Sequence, residues 1–178
     1  MRKAIFFDRD GILNKSIVIN SKPYSPRSLK EFKINLFLKK YINFFKKKKF
    51  IIIVITNQPD VGAGKVPKNL ILHFHKVLKK KLLIDDIFVC YDLSNKSFLK
   101  KPNPGMLYMA QEKYKIDMSK SYFIGDRWKD MKAGYTAGVK GLFVDFKYNE
   151  KPAVKYYKKF SSLYKTMIFL KKEKQQTI

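Results

Sequence analysis

The chain has a single cysteine and no long apolar run. Cys90 has no partner for a disulfide within the chain, and such cysteine usage fits a reducing compartment, so a cytoplasmic location is expected. The longest apolar run, residues 50–55, is far shorter than the ~20 residues of a membrane span. A length of 178 residues with 46% hydrophobic composition instead predicts one domain over 1–178 with a sizeable buried core.

Acidic residues and arginine are also scarce. The chain has 39 basic and 14 acidic residues, a net charge of +25, and its only arginines are Arg2, Arg9, Arg27 and Arg127. A positive electrostatic field of this size attracts nucleic acid, anionic lipid or a phosphorylated substrate. However, lysine is spread along the chain beside many Ile, Phe, Tyr and Asn, which all have AT-rich codons. Compositional bias is therefore the preferred explanation, and a nucleic-acid partner is the lesser alternative because arginine is the residue expected at such contacts.

The order of apolar segments predicts an α/β fold. Short β-branched runs alternate with stretches of helical periodicity, which is typical of a mainly parallel sheet with helices on both faces. Strands are predicted near residues 3–8, 50–55, 86–91, 121–124 and 141–145, and helices near 35–48, 67–83, 104–115 and 128–137. Loops are predicted over 9–30 and 92–103. The tail over 152–172 is predicted to be a helix packed on the core, with a lysine-flanked membrane anchor as the alternative.

The first predicted strand ends in two carboxylates. Asp8 and Asp10 follow the apolar residues 4–7, and Gly11 comes next. Open α/β sheets bind their ligands at the carboxyl ends of the strands. Because burying unpaired carboxylates is costly, a cation or a reacting group beside them is one interpretation. An ordinary Asp-Gly turn is the other, and this segment alone supports both equally.

Polar residues also follow two other predicted strands. Thr56 ends the second strand, Asp126 ends the fourth, and Asp130 comes one helical turn later. Together with Lys101, these residues resemble the four motifs of the haloacid dehalogenase (HAD) superfamily of phosphohydrolases. In order, the motifs are Asp8-x-Asp10-Gly11, Thr56, Lys101 and Gly125-Asp126-x-x-x-Asp130. The resemblance implies a three-layer, Rossmann-like fold.

The resemblance also implies catalytic roles. Asp8 would be the nucleophile and would divide the hydrolysis into two steps through an aspartyl-phosphate. Asp10 would protonate the leaving alkoxide and then deprotonate the attacking water. The Thr56 hydroxyl would bind phosphoryl oxygens, and Lys101 would neutralise charge between nucleophile and phosphate.

A magnesium site follows from the same resemblance. Mg²⁺ prefers few carboxylates together with water and phosphate oxygens. The side chains of Asp8 and Asp126 and the backbone carbonyl of Asp10 would bind the ion. Asp130 would orient the ion and its waters without binding it directly.

Longer segments resemble the heptose-bisphosphate and histidinol-phosphate phosphatase branch of this superfamily. They are Asp8-Arg9-Asp10-Gly11-x-Leu13-Asn14, Thr56-Asn57-Gln58 and Lys101-Pro102-x-Pro104-Gly105-Met106. The motifs are 48 residues apart between Asp8 and Thr56 and 45 apart between Thr56 and Lys101, which leaves no room for a large cap domain. The resemblance implies an open site, with substrate contacts from Arg9, Asn57, Gln58, Lys100 and Arg127.

The chain departs from that branch in three places. The branch often carries a zinc loop of three cysteines and one histidine, but Cys90 is the only cysteine here and Asp92 stands where the histidine is expected, so no zinc is predicted. Lys100 replaces the arginine before the motif lysine, and Ala63 replaces a second substrate-side arginine. Lysine offers a point charge where arginine binds phosphate at two points, so these changes affect substrate binding.

The sequence therefore predicts a Mg²⁺-dependent phosphatase for a small sugar phosphate, with a D-glycero-D-manno-heptose 1,7-bisphosphate-like substrate as first choice. Histidinol phosphate is the close alternative. A polynucleotide 3′-phosphatase would suit the positive charge, although base-stacking motifs are not evident. A non-catalytic basic interaction module is least favoured, because all four motifs are retained. His73 and His75 fall in a predicted helix and are expected to be packed or solvated.

Overall fold

The computed structural model describes residues 1–175. Within that range the strands are β1 (Lys3–Phe7), β2 (Ile17–Ile19), β3 (Lys22–Tyr24), β4 (Phe50–Asn57), β5 (Asp86–Cys90), β6 (Tyr122–Gly125), β7 (Lys140–Val144) and β8 (Lys158–Phe160). The helices are α1 (Leu38–Lys47), α2 (Pro59–Gly62), α3 (Lys68–Leu82), α4 (Gly105–Tyr114), α5 (Trp128–Thr136) and α6 (Leu163–Gln175), with a 3₁₀ turn at Met118–Lys120.

Six of these strands form one parallel sheet in the order β5-β4-β1-β6-β7-β8. From β1 the chain adds β4 and β5 on one side, and then crosses back to add β6, β7 and β8 on the other. The connections that leave β1 and β6 therefore run in opposite directions from neighbouring strands. This reversal opens a crevice at the carboxyl ends of the two strands, which is where open α/β sheets bind ligands.

Helices cover both faces of the sheet, as the sequence predicts. Successive side chains of a strand point to opposite faces, so Ile5 and Phe7 of β1 belong to one core and Ala4 and Phe6 to the other. Residues of α1, α3 and α6 pack in the first core, and residues of α4 and α5 in the second. The predicted three-layer α/β fold is confirmed.

The predicted loop over 9–30 contains the hairpin of β2 and β3, which the sequence did not reveal. Its two-residue turn, Asn20 and Ser21, has φ angles of 50° and 59°, typical of the type I′ turn that matches the twist of a hairpin. Ile-Val-Ile shows no alternation of polar and apolar residues, and Pro23 weakens any strand prediction for the second arm.

The prediction of one helix over 152–172 is wrong in its first half. Residues 158–160 form β8, paired with β7, and α6 begins only at Leu163. The apolar residues Val154 and Tyr157, which fit helical spacing, are 56% and 53% exposed, so the edge of the sheet has overridden the periodicity. Within the described residues, no helix combines the length and apolarity needed to cross a bilayer.

A buried polar contact joins α3 to the loop after β1. His75 lies on the inner face of α3, and its Nε2 lies 3.3 Å from Nη1 of Arg9, whose side chain is fully buried. Burial, and then the Arg9 charge, lower the pKa of His75 to about 3. The imidazole is therefore neutral and accepts a hydrogen bond from the guanidinium.

We expect His75 to make the fold more sensitive to acid. The unfolded chain gains a proton at His75 near its ordinary pKa of 6.5, whereas the folded chain gains none until about 3. Stability present at pH 7 is thus lost as pH falls through 6.5. Between pH 7 and pH 5, the free energy of unfolding should fall by about 2 kcal/mol more in the wild type than in His75→Gln, which retains an acceptor for Arg9. Urea denaturation at both pH values measures this difference, and equal pH dependence in the two proteins would contradict it.

Candidate active site

The carboxyl ends of β1 and β6 bring two buried aspartates together. Asp8 directly follows β1, and its backbone N–H donates to the Ile124 carbonyl of β6 at 2.9 Å. Asp126 directly follows β6. A Cβ atom added to Gly11 would lie only 1.9 Å from Asp126 Oδ2, so this position requires glycine both for space and for its φ of +89°.

Lys101 lies between the carboxylates and is only 4% exposed. Its ammonium contacts Asp8 Oδ1 at 2.8 Å, Asp130 Oδ1 at 2.6 Å and the Ile55 carbonyl oxygen at 2.8 Å. An ammonium has three N–H donors, and three acceptors surround it here. Burial lowers the pKa of Lys101, but the charges of Asp130 and Asp8 outweigh burial and hold the pKa above its ordinary value.

Three carboxylates at this edge could hold a cation. One oxygen from each of Asp8, Asp126 and Asp130 lies within 4.8 Å of the others, and all three residues are buried. Asp130 is engaged at both oxygens, because Oδ1 binds Lys101 and Oδ2 accepts the Arg127 backbone N–H at 3.0 Å. Asp126 Oδ1 is buried and has no hydrogen-bond partner among residues 1–175.

The electrostatics of this cluster favour a bound cation. Burial raises the pKa of Asp8 to about 7 although Lys101 opposes the shift, and burial together with the charges of Asp8 and Asp130 raises the pKa of Asp126. When all three carboxylates are ionised, the single ammonium leaves two of their negative charges uncompensated. A divalent ion with hard oxygen ligands matches that deficit, so the residues present fit Mg²⁺.

Asp10 lies outside this cluster and is held by four side chains. Arg9 donates from Nε to Oδ1 at 3.0 Å and from Nη2 to Oδ2 at 2.9 Å. Asn14 donates to Oδ1, and Ser25 and Gln58 donate to Oδ2, all within 2.8–2.9 Å. Burial raises the pKa of Asp10, but the Arg9 charge and these hydrogen bonds more than offset it and lower the pKa below its ordinary value.

Residues at the end of β4 connect Asp10 with Lys101. The Thr56 hydroxyl is buried and accepts a hydrogen bond from Gln58 Nε2 at 2.8 Å, which leaves the hydroxyl proton to be donated elsewhere. Asn57 binds the backbone of Lys101 in both directions: its Oδ1 accepts the Lys101 N–H and its Nδ2 donates to the Lys101 carbonyl, each at 3.0 Å. Asn57 therefore positions Lys101.

A cavity of about 460 Å³ opens above these residues. Among the predicted site residues, those that line it are Asp8, Asp10, Asn57, Lys100, Lys101, Arg127 and Asp130. Lys100 Nζ donates to the Leu93 carbonyl at 2.5 Å, and Arg127 forms an ion pair with Glu150 at 2.6 Å. Burial lowers the pKa of Arg127, but Glu150 more than offsets this and raises it.

Two residues that are predicted to contact the substrate lie outside the lining of the cavity. Arg9 is 0% exposed and Gln58 is 1% exposed, and neither lines the cavity. The Arg9 guanidinium contacts Asp10, Gln58 and His75 through four of its five N–H donors. Direct substrate contact by these two residues stays a prediction; in this structure both side chains hold Asp10.

The residues at the site that were missed from the sequence include Lys22, Lys129 and Tyr148. Lys22, on the unpredicted hairpin, and Lys129, on the first turn of α5, both line the cavity. Tyr148 donates its hydroxyl proton to Asp126 Oδ2 at 3.0 Å. Lys129 could have been found, because it lies between Asp126 and Asp130 in one motif, whereas nothing local marks Lys22 or Tyr148.

The loop over 92–103, which follows β5, is held by hydrogen bonds. Cys90 is buried at the end of β5 with its Sγ 4.0 Å from Ser97 Oγ, and Ser97 donates to Asp92. Asn103 Nδ2 donates to the Ser97 carbonyl at 2.8 Å. These contacts order the segment that leads to Lys101, and the absence of zinc stays a prediction.

Known proteins resemble this chain over most of its length. A family model described as HAD-hydrolase-like matches residues 98–157. A D-glycero-alpha-D-manno-heptose-1,7-bisphosphate 7-phosphatase of Photorhabdus laumondii is 33% identical over 158 residues, which cover 80% of this chain and 81% of the relative. A protein of the same name from Campylobacter jejuni is 28% identical over 181 residues, covering 96% and 97% of the two chains.

Solved structures agree on the fold. The D,D-heptose 1,7-bisphosphate phosphatase from B. bronchiseptica, solved with magnesium and phosphate, superposes with a TM-score of 0.82 at 21% identity, covering 96% of this chain and 99% of that one. The identity and coverage of the Photorhabdus relative establish the family. This chain accordingly belongs to the HAD-like hydrolases, in the heptose-1,7-bisphosphate 7-phosphatase family, and is a phosphomonoester hydrolase.

Proposed function

We propose that the protein removes the 7-phosphate of D-glycero-D-manno-heptose 1,7-bisphosphate in a Mg²⁺-dependent reaction. The observation that carries the proposal is the buried cluster of Asp8, Asp126, Asp130 and Lys101 below a cavity with a cationic rim. The names of the relatives supply the sugar. Histidinol phosphate and 3′-phosphorylated DNA are the other substrates to be tested.

The first step transfers the phosphoryl group to Asp8. A carboxylate oxygen of Asp8 attacks phosphorus, the phosphorus–oxygen bond to the sugar breaks, and Asp10 gives its proton to the leaving alkoxide. Asp10 is ionised in the resting site because its pKa is lowered. A dianionic phosphate bound beside it raises that pKa and so favours the protonated form that the step needs.

The second step releases phosphate. Asp10, now ionised, takes a proton from a water that attacks the phosphorus atom, and the bond to Asp8 breaks. The four side chains around Asp10 hold its carboxylate in one orientation during both proton transfers. Lys101 remains charged throughout, because its pKa is raised, and offsets the negative charge of the transferring group.

Magnesium would be held by Asp8, Asp126 and the Asp10 backbone carbonyl. It would supply positive charge against the phosphoryl oxygens, so that the attacking Asp8 carboxylate is not repelled. Asp130 binds Lys101 and the Arg127 backbone, and it orients this assembly without binding the ion.

The rim supports a substrate that carries a second phosphate. Lys22, Lys100, Arg127 and Lys129 line the cavity beyond the reacting centre. Burial, and then the charges of Arg127 and Lys100, lower the pKa of Lys129, which shows that these cations are crowded. An anion among them relieves the repulsion, so the second phosphate of a bisphosphate fits this position.

Asp8→Asn tests the nucleophile. We expect phosphate release from the heptose bisphosphate to fall by about 10⁴-fold or more, because an amide cannot form the phosphoryl intermediate. Asp117→Asn is the matched control: it makes the same change in an aspartate that caps the 3₁₀ turn, where asparagine caps equally well.

The substrate screen uses both anomers of the heptose bisphosphate, other sugar phosphates, histidinol phosphate and 3′-phosphorylated DNA. Full activity in Asp8→Asn, or no phosphate release from any of these with Mg²⁺ present, would end the proposal. Release from histidinol phosphate or DNA alone would retain the chemistry and replace the substrate.

Lys129→Gln tests the place of the second phosphate. We expect KM for the heptose bisphosphate to rise roughly fivefold, about 1 kcal/mol for one partly exposed charge pair, with kcat unchanged. KM for heptose 7-phosphate, which lacks the second phosphate, should not change. Lys132→Gln removes the same charge from an exposed position on the same helix. If Lys132→Gln raises KM equally, the general positive field is responsible and the assignment of Lys129 is wrong.

Metal removal tests the prediction that the protein requires Mg²⁺ and holds no zinc. Chelation with EDTA should abolish phosphate release, and added Mg²⁺ should restore it fully without zinc. The melting temperature should be unaffected by a zinc-selective chelator, because hydrogen bonds of Asp92, Ser97 and Asn103 order the loop. Zinc in the purified protein by elemental analysis, or a lowered melting temperature with that chelator, would contradict the prediction.

A further inference from the structure

Residues 145–150, here called the strap, follow β7 and reach the site. Tyr148 reaches Asp126, and Glu150 binds the Arg127 guanidinium through its Nε and Nη2 atoms at 2.6–3.2 Å. The Asn149 backbone N–H donates to the Ser21 carbonyl of the β2–β3 turn at 2.8 Å. The strap residues 148–150 thus contact Asp126, Arg127 and the β2–β3 hairpin.

The two oxygens of Asp126 have different surroundings. Oδ2 accepts the Tyr148 hydroxyl proton at 3.0 Å and faces the Cα of Gly11 so closely that a Cβ there would lie 1.9 Å away. Oδ1 is equally buried but has no partner in the described residues. A buried carboxylate oxygen without a donor is costly, which indicates that a ligand completes it.

We propose that Tyr148 is a positioning residue that fixes Asp126 so that it binds the cation through Oδ1 alone. The hydroxyl occupies Oδ2 and prevents the carboxylate from rotating or binding the ion with both oxygens. Mg²⁺ demands regular octahedral geometry, which one-oxygen coordination by a carboxylate satisfies better than two-oxygen coordination. This inference rests on the cation site of the proposed function and is independent of which sugar is hydrolysed.

The test measures Mn²⁺ binding to the substrate-free protein by the loss of the free-ion electron paramagnetic resonance signal. Tyr148→Phe removes the hydroxyl and retains the ring. We expect the Kd for Mn²⁺ to rise about tenfold, the usual effect of losing a hydrogen bond to a metal ligand. Tyr135→Phe, an exposed tyrosine on α5, is the matched control and should bind Mn²⁺ as the wild type does.

Kinetics and a second variant separate positioning from a structural effect. In Tyr148→Phe the Mg²⁺ concentration for half-maximal activity should rise by the same factor, with kcat at saturating Mg²⁺ and KM for substrate retained. Lys147→Gln removes the ion pair between Lys147 and Asp145 within the strap, where the Lys147 side chain is 81% exposed, and retains the Tyr148 hydroxyl, so it should bind Mn²⁺ nearly as tightly as the wild type.

Two outcomes overturn the inference alone. These are an unchanged Kd for Mn²⁺ in Tyr148→Phe, and an equal weakening in Lys147→Gln, which would assign the effect to the whole strap. Absence of Mn²⁺ binding by the wild-type protein would overturn the cation site of the proposed function as well, so the two failures are distinguishable.

Discussion

The ammonium of Lys101 is the interaction on which the rest of the site depends. Its three acceptors come from three different parts of the fold: Asp8 after β1, the Ile55 carbonyl within β4, and Asp130 on α5. The same charge compensates buried carboxylates that would otherwise face one another across the crevice. Breaking such a buried arrangement by removing one partner typically costs about 3–5 kcal/mol. Lys101 is therefore the reason these strand ends can lie together, and in the proposed mechanism it is also a catalytic charge.

Much of this arrangement could be predicted from the sequence because it follows from strand ends. A β-branched run such as residues 50–55 is buried on both faces, and parallel strands place their last residues at one edge of the sheet. Asp8, Thr56 and Asp126 each follow such a run, and the structure brings them to the same edge. The connections that leave β1 and β6 run in opposite directions, which explains why the first and fourth motifs meet and form the cluster of three carboxylates.

Tertiary packing explains what the sequence could not show. The family resemblance implies that Arg9 contacts the substrate, whereas in the structure α3 covers the Arg9 side chain, which contacts His75 and Asp10. Tyr148 and Lys22 come from segments whose local pattern predicts no structure, and only their contacts with Asp126 and the cavity reveal a role. The prediction of a helix over 152–172 failed for a similar reason: the pairing of residues 158–160 with β7 outweighed the helical spacing of the apolar residues.

The net charge of +25 does not by itself explain which ligand the site selects. A surface rich in lysine attracts any anion, but attraction alone does not select a substrate, because mobile exposed charges are screened and bind weakly. Selection requires cations at fixed distances from the nucleophile. Lys101 is fixed by three contacts, Lys100 by the Leu93 carbonyl, and Arg127 by Glu150. In the proposed function, those few tethered charges around an acidic centre select the ligand: one phosphate at the carboxylates with a cation, and another negative group at the rim.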